Sequence, residues 1–317
     1  MKHFLFPLLL FVAHGLNAQS DGDILTNQPL KLSQYVIEAV TKKYDSRTAS
    51  AILNLRYSKV SYLSDGLKVT AYLVQPARKG KYPCIISNRG GNLAFGAWNE
   101  SSVGLYLGLM ASWGYVVVAS QYRGNDGGEG REAFGGSDIN DVLNLLPLLQ
   151  QVPTADTSRI GIEGSSRGGM TTYLALKRSC RFKAAVSIAG IANAFTTIAN
   201  RPEMETAVFA PLIPGYWQNK EEALNERSAV KWASQICANT PLLIMHGAAD
   251  WRVSAGESLE LVTLLHKQQH PVRFILFEGA DHSLTEVFSQ AMQSMRQHFD
   301  FYLRDANAVP NNRHHGL

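Results

Sequence analysis

The part of this chain best suited to chemistry is the glycine-rich run around Ser166. An apolar stretch leads into Gly164-Ser-Ser-Arg-Gly168, which has the pattern GxSxG. This pattern is typical of a sharp turn from a strand into a helix, where a serine hydroxyl is exposed for nucleophilic attack and glycines avoid steric clashes on either side. A glycine-rich turn that merely carries serines would have the same pattern. The apolar stretch before the run and the helix-compatible residues 170–176 after it favour Ser166 as a nucleophile.

A serine nucleophile needs an imidazole to accept its proton and an acid to orient that imidazole. On a strand-turn-helix scaffold of this kind the three residues follow one another in the order serine, acid, histidine. Asp250 comes just after a predicted buried strand that begins at Pro241, and His282 follows the next predicted strand, at residues 271–277. The sequence therefore predicts a triad of Ser166, Asp250 and His282.

Two neighbouring residues compete for the roles of acid and base. Asp281 adjoins His282 in the sequence, but an acid next to the base seldom reaches the far side of its ring. His246 lies close to Asp250, and we expect it to secure the loop at the end of the strand. Asp250 and His282 therefore remain the first choices.

Other segments extend the pattern around these residues. They are the second glycine after the serine at Gly169, the strand and turn at residues 116–124, residues 130–134 followed by Asp138 and Asp141, Arg227-Ser-Ala-Val230, and residues 246–253. Together with the serine run, they resemble the catalytic domain of the prolyl-oligopeptidase family of serine hydrolases over residues 55–304. The resemblance implies an α/β-hydrolase fold, with a mostly parallel central sheet, helices on both faces and a short cap insertion at about residues 191–232.

The composition agrees with one α/β core. The chain has 317 residues, of which 45% are hydrophobic, and apolar strand patterns alternate with helical ones after residue 80. We expect residues 19–54 to form an N-terminal extension with a helix at residues 32–44, preceded by a flexible stretch at residues 19–29. Asp65-Gly66, between two alternating stretches, predicts a β-hairpin, and a helix is expected at residues 137–150. Residues 305–317 are expected to form a flexible tail.

The resemblance also implies where a developing oxyanion would be bound. The first donor is the backbone N–H of Arg167, directly after the serine. Family members often have a tyrosine or histidine at the position of Arg89, in the loop at residues 87–92. The second donor is therefore either a backbone N–H of this loop, with Gly90 as the candidate, or the Arg89 guanidinium itself.

Further residues are candidates for substrate binding. Arg252 aligns with a family position whose side chain can contact a substrate carbonyl, although a solvated surface arginine is the alternative. Tyr216 and Trp217 lie in the cap insertion, together with Phe195 and Phe209, and could line a pocket for the acyl or leaving group. Ordinary packing of a satellite cluster is the alternative for each.

These residues predict a serine hydrolase that works through an acyl-enzyme intermediate. An ester is the first choice of substrate, because the chain has no room for the β-propeller that admits small peptides in the large peptidases of the family. A peptidase of the prolyl-oligopeptidase or dipeptidyl-peptidase type, acting on short peptides, is the alternative, and a non-catalytic binding protein is less favoured. The chemistry requires no cofactor, and no cysteine or histidine has metal-ligand spacing.

The sequence also bears on location and partners. Residues 1–18 have the features of a cleavable signal peptide, which predicts a periplasmic or secreted protein. No basic run accompanies the formal charge of +4, so nucleic acid is not an expected partner, and no stable membrane anchor is expected. The oligomeric state is left open. Of the three cysteines, Cys84 is predicted to be buried, and any disulfide is expected to join Cys180 to Cys237.

Overall fold

A computed structural model describes residues 19–312. The predicted signal peptide lies outside the described residues, so it and the export that it implies stay predictions. Within the described part, nine strands form one sheet in the order β1-β2-β3-β5-β4-β6-β7-β8-β9. The strands are β1 Ile24–Pro29, β2 Leu55–Ser64, β3 Leu67–Pro76, β4 Tyr82–Asn88, β5 Val116–Ser120, β6 Ala155–Ser165, β7 Phe182–Ile188, β8 Leu242–Gly247 and β9 Val272–Phe277.

The sheet is antiparallel at one end and parallel through the rest. Strands β1, β2, β3 and β5 pair antiparallel, and the six strands from β5 to β9 in the sheet order pair parallel. The turn between β2 and β3 is the predicted hairpin, in which Asp65 and Gly66 have φ values of 51° and 74°. Since the carboxyl ends of parallel strands meet at one edge, β4, β6, β7, β8 and β9 deliver their following loops to a common place.

Helices cover both faces of this sheet. They are α1 Gln34–Lys43, α2 Ser46–Leu53, α3 Glu100–Ser102, α4 Gly108–Ser112, α5 Ile139–Leu143, α6 Leu145–Gln150, α7 Arg167–Arg178, α8 Ala194–Asn200, α9 Pro202–Met204, α10 Ala210–Leu212, α11 Lys220–Glu226, α12 Ala255–Lys267 and α13 Phe288–Phe299. Helices α8 to α11 fall within the predicted cap insertion. The α/β-hydrolase architecture is therefore confirmed.

Alternation along the central strands builds two hydrophobic cores. On β4, Ile86 points into the core shared with α5, α6, α7 and α12, whereas Ile85 points into the core shared with α1, α2, α4 and α13. Because successive side chains of a strand face opposite ways, a strand that is apolar at nearly every position must be covered on both sides. The buried β4 and β5 meet this requirement.

Three local features differ from the sequence-based expectation. The stretch expected to be flexible contains the edge strand β1, whose backbone pairs with β2, and α2 follows the predicted first helix. An edge strand is paired on one side only, so it can be polar. The sequence of β1 therefore lacks the apolar pattern that identifies a buried strand. The helix expected at residues 137–150 is divided at Asn144 into α5 and α6.

The cysteines follow the prediction. Cys180 and Cys237 form a disulfide that joins the segment after α7 to the segment before β8, and Cys84 is free and buried within β4. The disulfide closes a loop with a sequence separation of 57 residues. Such a crosslink chiefly restricts the unfolded chain.

Candidate active site

Ser166 lies on a strained turn between β6 and α7. Its backbone has φ 58° and ψ −120°, a conformation that a non-glycine residue rarely adopts. Its N–H donates to the carbonyl of Ile188 at 2.8 Å, which fixes the turn against the end of β7. Strain of this kind persists only where the surrounding structure imposes it, and it is common at functional sites.

The glycines of the GxSxG run are required by close backbone contacts. A Cβ atom on Gly168 would lie 2.0 Å from the carbonyl oxygen of Asn88, and one on Gly164 would lie 2.1 Å from the carbonyl oxygen of Gly168. The turn is therefore pressed against the end of β4 with no space for a side chain at either position. This contact brings the loop after β4 beside Ser166.

Asp250 and His282 are joined at the carboxyl ends of β8 and β9. His282 Nδ1 donates to Asp250 Oδ2 at 2.7 Å, which leaves Nε2 as the basic nitrogen of the neutral ring. The backbone N–H groups of Arg252 and Val253 donate to the other carboxylate oxygen, at 2.8 and 3.1 Å. Burial alone would raise the pKa of Asp250, but hydrogen bonds from His246 and His282 outweigh burial and hold that pKa well below its usual range. Asp250 is therefore an anion at neutral pH.

Neither of the two competing residues takes the place of Asp250 or His282. The Asp281 carboxylate accepts hydrogen bonds from the backbone of Ser283 and Thr285, so it caps its own loop. His246 Nε2 lies 3.0 Å from Asp250 Oδ2 and its Nδ1 lies 2.8 Å from Ser258 Oγ. His246 thus holds Asp250 against α12, which agrees with its expected role at the end of the strand.

Ser166 and His282 open into one cavity of about 200 Å³. No hydrogen bond joins the two side chains within residues 19–312, a separation that is common in unliganded sites and closes when substrate binds. The cavity is lined by Gly91, Asn92, Phe95, Phe134, Ser166, Arg167, Ile191, Arg201, Met204, Val208, Arg252 and His282. Its apolar part comes from five side chains that sequence reasoning did not select as site residues, namely Phe95, Phe134, Ile191, Met204 and Val208.

The structure corrects the prediction for the aromatic residues of the cap. Tyr216 is 2% exposed and donates its hydroxyl to Glu205, while its ring packs edge-on against Phe209. Trp217 is 61% exposed and packs on Tyr216. None of these three aromatic side chains lines the cavity, because they fill the interior of the cap or face away from the nucleophile. Arg252, in contrast, does line it.

The Arg89 guanidinium is not among the groups that line the cavity either, so of the two predicted alternatives for the second oxyanion donor the structure favours a backbone N–H of the loop. The side chain is buried, and it donates to the carbonyls of Gln121, Leu93 and Phe95 at 3.0 to 3.2 Å. It also lies 5.1 Å from the ring centroid of Tyr122. Arg89 therefore shapes the loop after β4 from behind, and only backbone N–H groups of that loop remain as donors.

Of the two glycines in this loop, Gly91 lines the cavity and the predicted Gly90 does not. The φ of Gly91 is 67°, and a Cβ atom there would lie 2.1 Å from the carbonyl oxygen of Phe95, so only glycine fits. The predicted Gly90 lies beside it, where a Cβ atom would contact Ser166 Cβ at 3.3 Å. The N–H groups of Gly91 and Arg167 donate to no protein acceptor in the described part of the chain. Arg167 is the first residue of α7, where N–H groups have no partner within the helix.

The Arg167 side chain links this loop to a buried ion cluster. Its guanidinium donates to Glu132 Oε2 at 2.7 Å, to Asp138 Oδ2 at 2.6 Å and to the carbonyl of Gly91 at 3.1 Å. Glu132 also accepts from the N–H of Leu93. The segment containing Glu132 and Asp138 was part of the family resemblance, but nothing in the sequence assigned it to the support of the oxyanion loop.

Two further buried carboxyls flank the site. Burial raises the pKa of Glu163 to about 7, although hydrogen bonds from Ser87 and Tyr106 partly oppose this shift. Burial likewise raises the pKa of Glu257 to about 7, against donation from the backbone of Asn193. Each carboxyl therefore holds a proton in the folded protein at a pH where it would be ionised in the unfolded chain.

We expect Glu163→Gln to reduce the fall in the free energy of unfolding that accompanies a rise in pH. The pKa of Glu163 is higher in the folded state than in the unfolded chain. Its contribution to the free energy of unfolding is therefore fully present below about pH 4.5 and is lost as the pH rises through 7. Denaturant unfolding at pH 5 and pH 8 should show a smaller fall in unfolding free energy for the variant than for the unmodified protein. The exposed Glu38→Gln is the control and should leave the fall unchanged. Equal falls in all three proteins would contradict the shift.

Two other kinds of site are absent from the described residues. In residues 19–312 there is no group of three or more histidine, cysteine, aspartate or glutamate side chains that could hold a metal ion. No helix in that range has the length and apolar character needed to cross a membrane.

A serine on a strained strand-to-helix turn, with a histidine and a buried aspartate on adjoining strand ends, defines the serine hydrolases of the α/β-hydrolase fold. The model of the prolyl oligopeptidase family matches residues 101–308. The chain is also 33% identical over 227 residues to the uncharacterized peptidase YtmA of Bacillus subtilis, covering 71% of this chain and 86% of YtmA. The chain therefore belongs to the prolyl oligopeptidase family, as the resemblance implied, and is a serine hydrolase.

Two further similar proteins, both peptidases, are longer than this chain, and a third, an esterase, is of similar length. It is 27% identical to dipeptidyl-peptidase 5 of Porphyromonas gingivalis over 82% of this chain but 39% of that protein. The acylaminoacyl peptidase of Pyrococcus horikoshii superposes with a TM-score of 0.66 at 23% identity, over 91% of this chain and 46% of that one. The acetyl xylan esterase of Paenibacillus sp. R4 shares the fold at a TM-score of 0.62 and 17% identity, over 86% of this chain and 88% of the esterase. This chain spans less than half of the two longer peptidases.

Proposed function

We propose that this protein is a serine peptidase that hydrolyses amide bonds in short peptides, with Ser166 as nucleophile, His282 as general base and Asp250 as the orienting acid. The observation that carries the proposal is the 2.7 Å bond from His282 Nδ1 to Asp250, made by a histidine that shares a cavity with Ser166. That bond leaves the basic Nε2 for the serine proton.

The geometry supports a two-step acyl transfer. Ser166 Oγ attacks the scissile carbonyl as His282 Nε2 takes its proton, and the buried Asp250 carboxylate stabilises the imidazolium that forms. The N–H groups of Arg167 and Gly91 donate to the oxyanion, helped by the positive end of α7. His282 then protonates the leaving nitrogen, and water releases the acyl group by the same steps in reverse.

The relatives favour an amide over an ester. YtmA, most of whose length this chain covers, is named a peptidase, as is the longer dipeptidyl-peptidase 5. The preference for an ester rested on the expectation that no β-propeller is present, and YtmA, named a peptidase, matches this chain over 86% of its own length. The esterase among the structural neighbours is only 17% identical, so its likeness concerns the fold alone. We therefore place the peptidase ahead of the esterase.

Matched substrates test this choice. We expect an N-acylated phenylalanine 4-nitroanilide to be cleaved with a kcat/KM within 100-fold of that for the corresponding 4-nitrophenyl ester, because a peptidase must protonate the amine that leaves. A larger gap, more than about 2.7 kcal/mol in transition-state stabilisation, would identify an esterase instead. A fluorophosphonate probe should label Ser166, and a protein that fails to react would be a binding protein on a hydrolase scaffold.

A further inference from the structure

The mouth of the cavity carries two arginines on one aromatic ring. Arg201 and Arg252 both line the cavity, and their guanidinium carbons lie 5.1 and 5.3 Å from the ring centroid of Trp251. Arg201 follows the end of α8 in the cap, whereas Arg252 and Trp251 follow Asp250 in the catalytic loop. Arg201 also donates to the carbonyl of Arg252 at 3.3 Å, so cap and catalytic loop are tied together at this point.

The charge of this mouth is unbalanced. Arg201 pairs with Glu203 at 2.8 Å, but Glu203 is largely exposed to solvent and does not line the cavity. The Arg252 guanidinium forms no ion pair with any residue in the described range 19–312. No aspartate or glutamate is among the residues that line the cavity, so the carboxylate that pairs with Arg201 lies outside it and Arg252 has no carboxylate partner in that range.

This distribution has a consequence for the substrate. A peptide with a free amino terminus would bring an ammonium group toward two guanidinium groups, and no lining carboxylate could pair with it. An anionic group on the acyl side would instead find planar donors held in place by stacking on Trp251. The apolar walls at Phe134 and Val208 would hold a hydrophobic side chain next to the scissile bond.

We propose that Arg201 and Arg252 form an anion clamp on Trp251 that selects substrates with a carboxylate, such as a dicarboxylic acyl cap or an acidic residue, on the acyl side of an apolar residue. This inference rests on the proposed function for its site and adds the charge of the substrate. It assigns a role in specificity to Arg201, which the sequence did not single out.

The test compares two nearly isosteric substrates. N-succinyl-phenylalanine 4-nitroanilide carries a carboxylate, and the succinamoyl analogue replaces it with a neutral amide. We expect kcat/KM to be about tenfold higher for the succinyl compound, a difference of about 1.4 kcal/mol. The preference should shrink at high salt, as expected for partly exposed charges. Phenylalanine 4-nitroanilide with a free amine should be cleaved least.

Variants of the two arginines test whether the clamp causes the preference for the succinyl substrate. Arg201→Gln and Arg252→Gln should each reduce the ratio toward one, mainly through KM for the succinyl substrate, and Arg201→Lys should restore part of it. Arg181→Gln removes a charge at the amino end of β7, away from the cavity, and should keep the ratio. Equal rates for the two substrates, or a ratio unchanged by Arg201→Gln, would overturn the proposal.

A binding measurement separates this inference from the proposed function. Calorimetry on Ser166→Ala with N-succinyl-phenylalaninamide and its succinamoyl analogue needs no turnover. Tighter binding of the succinyl compound by about tenfold, lost in the Ser166→Ala and Arg201→Gln double variant, supports the clamp even if neither anilide is cleaved. Equal affinities would refute the clamp while leaving the peptidase proposal to the kinetic assay.

Discussion

Ser166→Ala and His282→Ala should each lower kcat by on the order of 10⁴-fold or more while the protein stays folded. In the proposed mechanism Ser166 supplies the nucleophile, and the 2.7 Å bond from His282 Nδ1 to Asp250 leaves Nε2 for the cavity that both residues share. Because such residues act as one unit, the double variant should be little worse than either single variant. Steady-state kinetics on the anilide, with thermal unfolding to confirm folding, measures this.

The matched control is Ser165→Ala, which removes the neighbouring hydroxyl and should retain activity. Asp250→Asn should also be severe, because an amide cannot stabilise the imidazolium, whereas Asp281→Asn should be mild since Asp281 caps its own loop. Activity close to that of the unmodified protein in Ser166→Ala would refute the nucleophile. Loss of activity in Asp281→Asn but not in Asp250→Asn would identify Asp281 as the orienting acid.

The second large effect is expected for Glu132→Gln. Glu132 is fully buried, 2.7 Å from the Arg167 guanidinium and 3.6 Å from that of Arg89, and it also accepts the N–H of Leu93. Removing its charge leaves the buried Arg167 guanidinium with Asp138 as its remaining carboxylate and removes the carboxylate that pairs with Arg89. We expect the free energy of unfolding to fall by about 3 kcal/mol, as for other broken buried ion pairs. We expect kcat to fall by about tenfold, because the oxyanion loop loses an anchor.

Denaturant unfolding and kinetics on the same preparation separate these two effects. Glu129→Gln changes an exposed carboxylate in the same segment and serves as the control, with unfolding free energy within about 0.5 kcal/mol of the unmodified protein. A Glu132→Gln protein with unchanged stability would show that the cluster carries little energy. A destabilised protein with unchanged kcat would show that Arg167 positions the loop without Glu132.

The sequence determined the fold class and the order of the candidate catalytic residues because both depend on local patterns. The GxSxG run has glycine where a Cβ atom would lie 2.0 to 2.1 Å from a backbone carbonyl oxygen, and that requirement is visible in the residue types alone. Strands that are apolar on both faces imply helices on both sides of the sheet, and parallel strand ends imply a common edge for Asp250 and His282. The Asp65-Gly66 hairpin followed in the same way from its turn residues.

Only the tertiary structure decided which side chains face the nucleophile. Arg89 and Arg252 are both arginines beside the site in sequence, yet Arg89 is buried behind the oxyanion loop and Arg252 lines the cavity. In the cap, Tyr216 packs inward while Arg201 and Met204 reach the cavity. Short helices interrupted by prolines have no single period, so the direction of each side chain depends on how the helices pack on the sheet. The packing of the cap, which the sequence pattern does not encode locally, therefore determines the substrate site.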